Sequence, residues 1–480
     1  MVTVQNHIDG RQVPARSGAT LDNWEPATGA ASGTLPDSDA ADVAAAVQAA
    51  ERAFPAWAST PAADRSRALH RLAEALRARA PELAHAESTD TGKPLSLATT
   101  LDIPRAVANF DFFADAASQF ASEAHPMEGR ALNYTLRHPL GVVGCIAPWN
   151  LPLYLLSWKV APALAAGNCV VAKPSEVTPV TADWLGRLSA EAGLPPGVLN
   201  LVHGLGPKVG AALTAHPGVK AISFTGSTRT GAEIARTAAP AFKKLSLEMG
   251  GKNPTVVFAD CDFEAAVATT LRSAFTNQGQ ICLCGSRILV EESLYGRFRD
   301  ALVEGARALR VGDPLEAHTQ QGALVSRAHL DKVLGCLDVA RAEGGRVLCG
   351  GKRALVQGRC QEGFFVEPTL LEGLGPTTRT NQEEIFGPVA TLQPFRTEEE
   401  ALHLANATAY GLAASVWTNN LRRAHTVAAR LQSGIVWVNC WMLRDLRTPF
   451  GGMKDSGVGR EGGHEAMRFF TEAQNVCVQL

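Results

Sequence analysis

The 480-residue sequence has no long run of like charge: 45 Lys and Arg stand against 47 Asp and Glu, for a formal net charge of −2. Without a basic stretch there is no nucleic-acid footprint, and no polyanionic partner is expected. An uninterrupted apolar run is also missing. The most hydrophobic stretch, residues 140–172, is broken by Pro148, Asn150, Pro152, Lys159 and Pro162, which argues against a membrane span and for a buried α/β core. The first ten residues show no basic flank followed by an apolar block, so no secretory signal is read and a cytoplasmic location is expected. Metal motifs are absent as well. The ten cysteines follow no framework spacing, which suits free thiols in a reducing compartment, and Cys282-Leu283-Cys284 alone is too little for a zinc site, so no metal is expected. Neither an internal repeat nor a low-complexity tract occurs.

What is present fits a globular α/β protein: 46% hydrophobic residues, 44 Gly and 27 Pro, in a chain long enough for more than one lobe. A short start, residues 4–13, reads as a strand pair, and residues 41–122 carry Ala/Leu/Arg-rich helical periodicity. From Gly141 the pattern changes to short apolar runs (142–146, 169–172, 198–202, 221–224) alternating with helical segments, the mark of βαβ units and a parallel sheet. A second alternation follows: strands at 255–258, 286–290, 389–394 and 435–439, with helices at 263–278 and 294–309. The junction of the two α/β lobes is read near 248–251. Residues 345–365 are Gly-rich and read as a surface loop. Residues 469–480 alternate like an exposed strand, which in a compact protein often seeks a partner subunit.

Four segments carry candidate chemistry. In Phe275-Thr276-Asn277-Gln278-Gly279-Gln280-Ile281-Cys282 a thiol follows a helix, behind a glycine and three amide side chains. A cysteine taken alone is most often a small core residue, so neighbouring segments must decide whether this one is a nucleophile. Leu247-Glu248-Met249-Gly250-Gly251 sets one carboxylate beside two glycines, where a backbone can approach closely and the carboxylate can activate water. Ala147-Pro148-Trp149-Asn150 falls at the carboxyl end of an expected strand, the usual ligand edge of open α/β sheets, and an amide there can donate to a developing oxyanion. Phe224-Thr225-Gly226-Ser227 ends another strand and opens a helix whose N-terminus can face a phosphate. Lys173 and Glu176 end a neighbouring strand, and an acid in that position can hold ribose hydroxyls while repelling a 2′-phosphate. Gly204, Gly206 and Gly210 imitate a dinucleotide fingerprint, but the last gap is one residue too long, and they are read as turn residues.

Together these segments closely resemble the aldehyde dehydrogenase superfamily, over nearly the whole chain as far as Pro449-Phe450-Gly451-Gly452. The resemblance implies an α/β, aldehyde dehydrogenase-like fold. A Rossmann-like NAD-binding lobe would take residues 1–120 and 140–249, a catalytic lobe 250–450, and a small oligomerisation strand arm 121–139 and 465–480. It implies Cys282 as nucleophile, Glu248 as general base, and Asn150 with the Cys282 backbone N–H as oxyanion hole. Ile146, Trp149, Lys173, Glu176, Gly226, Ser227, Glu384 and Phe386 would contact NAD, and Phe450 would border the nicotinamide end and the substrate. Cys284 and Cys440 either line the pocket or fill core. Within the family the likeness is to the 2-aminomuconate and 2-hydroxymuconate semialdehyde dehydrogenases. It is carried by Asp102-Ile103-Pro104-Arg105, Asn150-Leu151-Pro152-Leu153-Tyr154-Leu155-Leu156, Ile281-Cys282-Leu283-Cys284 and Asn439-Cys440-Trp441-Met442-Leu443-Arg444. It implies an aldehyde with a distal carboxylate, held by Arg105 and Arg444 through the bidentate geometry a guanidinium offers. Arg447 competes with Arg444 for that place; a betaine aldehyde or retinal type is the broader alternative. A homo-oligomer, either dimer or tetramer, is expected, with no membrane partner.

Overall fold

The strands of the first alternation form a sheet because their apolar runs are uninterrupted: Val142–Ile146 and Cys169–Lys173 are buried at every position, as strands covered on both faces must be. In the computed structural model, which describes residues 1–480, this sheet has eight strands. Its middle runs Lys244–Glu248, Val219–Thr225, Val142–Ile146, Cys169–Lys173 and Leu199–Leu201, all parallel. Antiparallel strands close both edges: Asn6–Ile8 with Arg11–Val13 on one side, and Gly457–Val458, which pairs with Lys244–Glu248, on the other. The chain thus returns to its first sheet after residue 450. Helix Pro152–Ala165 is buried along its whole length and helix Ile103–Gln119 packs on it.

The second sheet has seven strands in the order Arg346–Cys349, Thr369–Glu372, Val389–Phe395, Arg287–Glu291, Pro254–Val257, Ala413–Trp417 and Ile435–Val438, parallel except for the first. That first strand corrects one expectation: residues 345–365 are not all loop. Gly344, Gly345, Gly350 and Gly351 bracket a four-residue edge strand instead of dissolving it, and only Cys349 in it is buried, so its apolar signal is weak. The expected helix 263–278 ends at Phe275, where a short turn takes over.

A third, three-stranded antiparallel sheet joins Ala124–Met127, Ala131–Pro139 and Thr471–Gln479. The C-terminal strand therefore pairs within its own chain, and its other edge stays open. No helix is long and apolar enough to cross a membrane.

Candidate functional site

Because the five central strands are parallel and in register, their carboxyl ends line up: Ile146 lies beside Lys173, Phe224 beside Ile146, and Thr225 beside Glu248. The turns that leave these ends define a cavity of about 250 Å³, lined by Pro148, Trp149, Asn150, Thr225, Gly226, Ser227, Met249, Gly250, Cys282, His329, Lys332, Glu384 and Phe386. Ser227 is the N-cap of helix Thr228–Ala238, its Oγ accepting the Thr230 N–H at 3.3 Å. The helix thus directs its positive end at the cavity wall. Buried Thr225 Oγ1, also on the wall, has no hydrogen-bond partner.

Cys282 reaches the cavity by an unusual route. After Phe275, Asn277 and Gln278 both take left-handed backbone (φ 54) and Gly279 follows at φ 70. For non-glycine residues such backbone is costly and is held only by tertiary contacts. The amides supply them: Asn277 Nδ2 donates to the Asn150 and Gln280 carbonyls, each at 3.1 Å, Gln278 Nε2 to the Ala323 carbonyl at 2.9 Å, and Gln280 Oε1 accepts the Val325 N–H at 3.1 Å. All three amides are buried fasteners that present Cys282. Its thiol, partly open to the cavity, is pushed up by burial and by the nearby Glu384 and Glu248 carboxyls, with Arg444 opposing.

Asn150, 4% exposed, donates Nδ2–H to the Gln280 carbonyl at 2.9 Å, just before the cysteine. An amide nitrogen carries two N–H groups, so one remains for a ligand oxygen. Glu248 is 3% exposed, and neither of its oxygens has a partner. Burial raises its carboxyl well above the ordinary range; Glu461 adds to this, while Lys159, Arg460 and Arg444 oppose it. A Cβ on Gly451 would lie 2.8 Å from Glu248 Oε1, so a glycine there leaves the carboxylate its room.

Glu384 Oε1 accepts the Gly251 N–H at 3.0 Å, and a Cβ on Gly250 would strike its carboxylate. Phe386, at φ 61, packs edge-on against Trp149 with ring centroids 5.2 Å apart. His329 packs on the same Trp149 at 5.0 Å and shares a 2.7 Å hydrogen bond with the Phe386 carbonyl; burial lowers its pKa to about 4, so the ring is neutral and donates Nε2–H. A carboxylate, a hydroxyl, aromatic faces and a helix N-terminus around one cleft suit a dinucleotide.

A second group of residues gathers around Tyr154, and one of them, Arg444, acts electrostatically on Cys282 and Glu248. Arg444 donates to the Tyr154 hydroxyl at 3.0 Å and sits over the rings of Phe450 (4.0 Å) and Trp158 (5.4 Å), while Arg105 lies over the other side chain in that contact, the Tyr154 ring, at 5.7 Å. Neither arginine makes an ion pair. Arg447, in contrast, is exposed and clamped on Asp445, whose carboxyl it lowers to about 2. The loop carrying Arg444 is tied to the cysteine segment by Trp441 Nε1, which donates to the Leu283 carbonyl at 2.9 Å, and is bent by left-handed Asn439 (φ 55) and Met442 (φ 61).

Of the residues expected from sequence, Trp149, Asn150, Gly226, Ser227, Cys282, Glu384 and Phe386 line the one cavity. Glu248 sits just behind it. Ile146, Lys173 and Glu176 do not line it; they lie at the neighbouring strand end, where Lys173 Nζ donates to Glu176 Oε2 at 2.5 Å and the Gly206 N–H reaches Glu176 Oε1 at 3.4 Å. Cys284 is core, with Sγ 3.9 Å from the Thr276 carbonyl. Thr225 and Met249 line the cavity from within segments read as candidate chemistry, whereas His329 and Lys332 line it without having been foreseen. His329 and Lys332 belong to a helix, Arg327–Ala342, that nothing local marks as facing a ligand.

Fold and cleft define an α/β protein with two large, mostly parallel sheets, a thiol at the cavity, a buried carboxyl just behind it and a cleft suited to a dinucleotide. Comparison with known proteins supplies the family. The aldehyde dehydrogenase family profile matches residues 13–476, and the chain belongs to this family. It is 50% identical over 482 residues to a 2-aminomuconic semialdehyde dehydrogenase of Danio rerio, covering 100% of this chain and 98% of the other. It is 47% identical over 486 residues to a 2-hydroxymuconic semialdehyde dehydrogenase of Pseudomonas sp. (strain CF600), covering 100% of both. An NAD+ complex of an aldehyde dehydrogenase from Bacillus cereus superposes with a TM-score of 0.97 at 39% identity, covering 100% of this chain and 97% of that one.

Proposed function

We propose that the chain oxidises 2-aminomuconic 6-semialdehyde to the dicarboxylic acid with NAD, the 2-hydroxy analogue being the alternative substrate. The observation that carries the substrate class is the pair of guanidiniums, Arg105 and Arg444, that converge on Tyr154 without any carboxylate partner. A half-buried cation left unpaired so near the reacting cysteine invites an anionic group from the ligand.

In this reading Cys282 Sγ gives up its proton to solvent water and attacks the aldehyde carbon. The oxyanion accepts hydrogen bonds from Asn150 Nδ2 and the Cys282 backbone N–H, a donor of this kind being worth about 2.7–4 kcal/mol where one has been removed. NAD, when bound, supplies the hydride acceptor. Trp149, Gly226, Ser227, Glu384 and Phe386 would hold it in the cleft, with Ile146, Lys173 and Glu176 along the adjoining strand end. The resulting Cys282 thioester is hydrolysed by water: Glu248 takes a water proton, the hydroxide adds to the acyl carbon, and the thiolate leaves. Phe450, stacked under Arg444, walls the acyl site. A CoA-acylating reaction would not need Glu248 as base. The enzyme would work in the cytoplasm as a homo-oligomer joined through the open edge of Thr471–Gln479.

The test is aldehyde-dependent NADH formation across both semialdehydes, betaine aldehyde and retinal. The carboxylate-bearing aldehydes should give the highest kcat/KM, and Cys282→Ala should abolish turnover. Retinal or betaine aldehyde exceeding the semialdehydes would reject the substrate, and turnover by Cys282→Ala would reject the nucleophile.

A further inference from the structure

Lys93 is completely buried, yet it belongs neither to the cavity lining nor to the group around Tyr154. It follows Gly92, the left-handed (φ 78) end of helix Ala80–Thr91, and precedes Pro94. Its Nζ donates to Asp102 Oδ2 at 2.8 Å and to the Asn150 backbone carbonyl at 3.0 Å, with Glu87 Oε1 at 3.9 Å. Glu87 is itself held by the Thr181 hydroxyl at 2.7 Å. Both close acceptors lead into helices that reach the substrate group. Asp102 ends the π-helical turn Ala98–Asp102, which runs without a break into Ile103–Gln119, on which Arg105 is the third residue. Asn150 precedes Pro152–Ala165, on which Tyr154 is the third. One ammonium therefore ties the π-helical turn leading into Ile103–Gln119 to the start of Pro152–Ala165, the two helices whose side chains, Arg105 and Tyr154, meet in the substrate group.

Helix stability does not call for this arrangement, because a cation near the N-terminus of Pro152–Ala165 opposes its dipole. Nor does overall stability: a buried ion pair often does no better than apolar side chains of the same volume, and what it can add is one definite arrangement. The packing of the two helices has its own fastener further along, Asn109 Nδ2, which donates to the Tyr154 carbonyl at 3.1 Å and to Ser157 Oγ at 3.0 Å. At Asn150 the ammonium shares the carbonyl with Asn277 Nδ2 at 3.1 Å, so both lone pairs are used and the backbone from which the Asn150 amide projects is pinned.

We propose that Lys93 is a positioning residue that sets the separation between the oxyanion donor Asn150 and the carboxylate anchor Arg105, so that aldehyde and distal carboxylate are matched to a rigid frame. This rests on the roles given to Asn150 and Arg105 above. The experiment compares Lys93→Met, Arg105→Ala and their double variant on an ω-carboxyl alkanal and on the unsubstituted alkanal of the same length, with saturating NAD. For the unsubstituted alkanal, Lys93→Met should lower kcat with little change in KM. For the ω-carboxyl alkanal KM should rise as well, for a total loss of kcat/KM of ~10²-fold, the scale of a small misplacement. In the Arg105→Ala background the KM component should vanish, since the guanidinium whose position Lys93 sets is gone. Equal losses on both aldehydes, or additive effects of the two substitutions, overturn the proposal. If Lys93→Met lacks native near-ultraviolet dichroism, Asp102→Asn decides. It keeps an oxygen in place but removes the charge facing the ammonium, so the same selective KM rise is expected at smaller size, and unchanged discrimination overturns the proposal. If Arg105→Ala alone fails to raise KM for the ω-carboxyl alkanal, the role of Arg105 as carboxylate anchor falls and the Lys93 proposal with it, while Arg444 is judged by its own variant. A selective Arg105 effect without coupling to Lys93 rejects the Lys93 proposal only.

Discussion

The groups of residues around the cavity and around Tyr154 are built from different materials. Around the cavity the charged and polar groups are mostly satisfied within the protein: Glu384 by the Gly251 N–H, Ser227 by its own helix, His329 by the Phe386 carbonyl. Around Tyr154 the two arginines have aromatic faces and a hydroxyl but no counter-charge. The first arrangement is a preformed cleft that needs shape and a few hydrogen bonds from its ligand. The second is an electrostatic vacancy, and it is where selectivity among aldehydes should lie.

The sharpest way to break this contrast is at the point where the groups join. Glu248→Gln should slow turnover by ~10²–10⁴-fold, the usual contribution of a general base, and the acyl group should accumulate on Cys282. Intact-protein mass spectrometry after mixing with aldehyde and NAD checks this, and free enzyme with no adduct would remove Glu248 from the hydrolytic step. Next in size, Arg444→Ala should cost ~10–10²-fold in kcat/KM for carboxylate-bearing aldehydes, matching a charged hydrogen bond of about 1.5–3 kcal/mol, and almost nothing for unsubstituted alkanals. Arg447→Ala should leave both unchanged, because that guanidinium is engaged by Asp445 at the surface. A loss in Arg447→Ala as large as that in Arg444→Ala would reverse the assignment.

The pH profile should show the join again. The Cys282 thiol and the Glu248 carboxyl are both raised by burial, and each must lose a proton to act, so turnover should climb as pH rises through neutrality into the alkaline range. In Glu248→Gln the deacylation rate, followed by single-turnover mixing, should lose that climb; a profile falling with pH would contradict both shifts. The smallest effect is expected on the cavity side: Gly250→Ala drives a methyl into the Glu384 carboxylate and should raise KM for NAD several-fold while the order of preference among aldehydes is kept. A changed aldehyde preference in that variant would show that the two groups are not separable.

Much of this site could be read along the chain wherever a strand end, a turn and a helix start are contiguous. Ala147–Asn150, Thr225–Ser227 and Glu248–Gly251 each carry their own geometry, and parallel pairing brings them together without further information. The segment before Cys282 was legible as amide-rich, but not what its amides do. Asn277, Gln278 and Gln280 turn inward to carbonyls far away in sequence, at Asn150, Ala323 and Val325, and no local pattern announces such partners. Arg444 and Arg447, three residues apart and alike in sequence, are told apart only by Asp445 on one and Tyr154 on the other.

By itself the order of residues determined the alternation of strand and helix and the parallel centres of the two large sheets, because hydrophobic periodicity and turn chemistry act over a few neighbouring positions. Only the tertiary structure decided which charges are left without partners and which buried groups hold the site in place. Those properties depend on burial and on distances between segments as remote as Lys93, Asp102 and Asn150, and electrostatic energy in a folded interior follows distance in space.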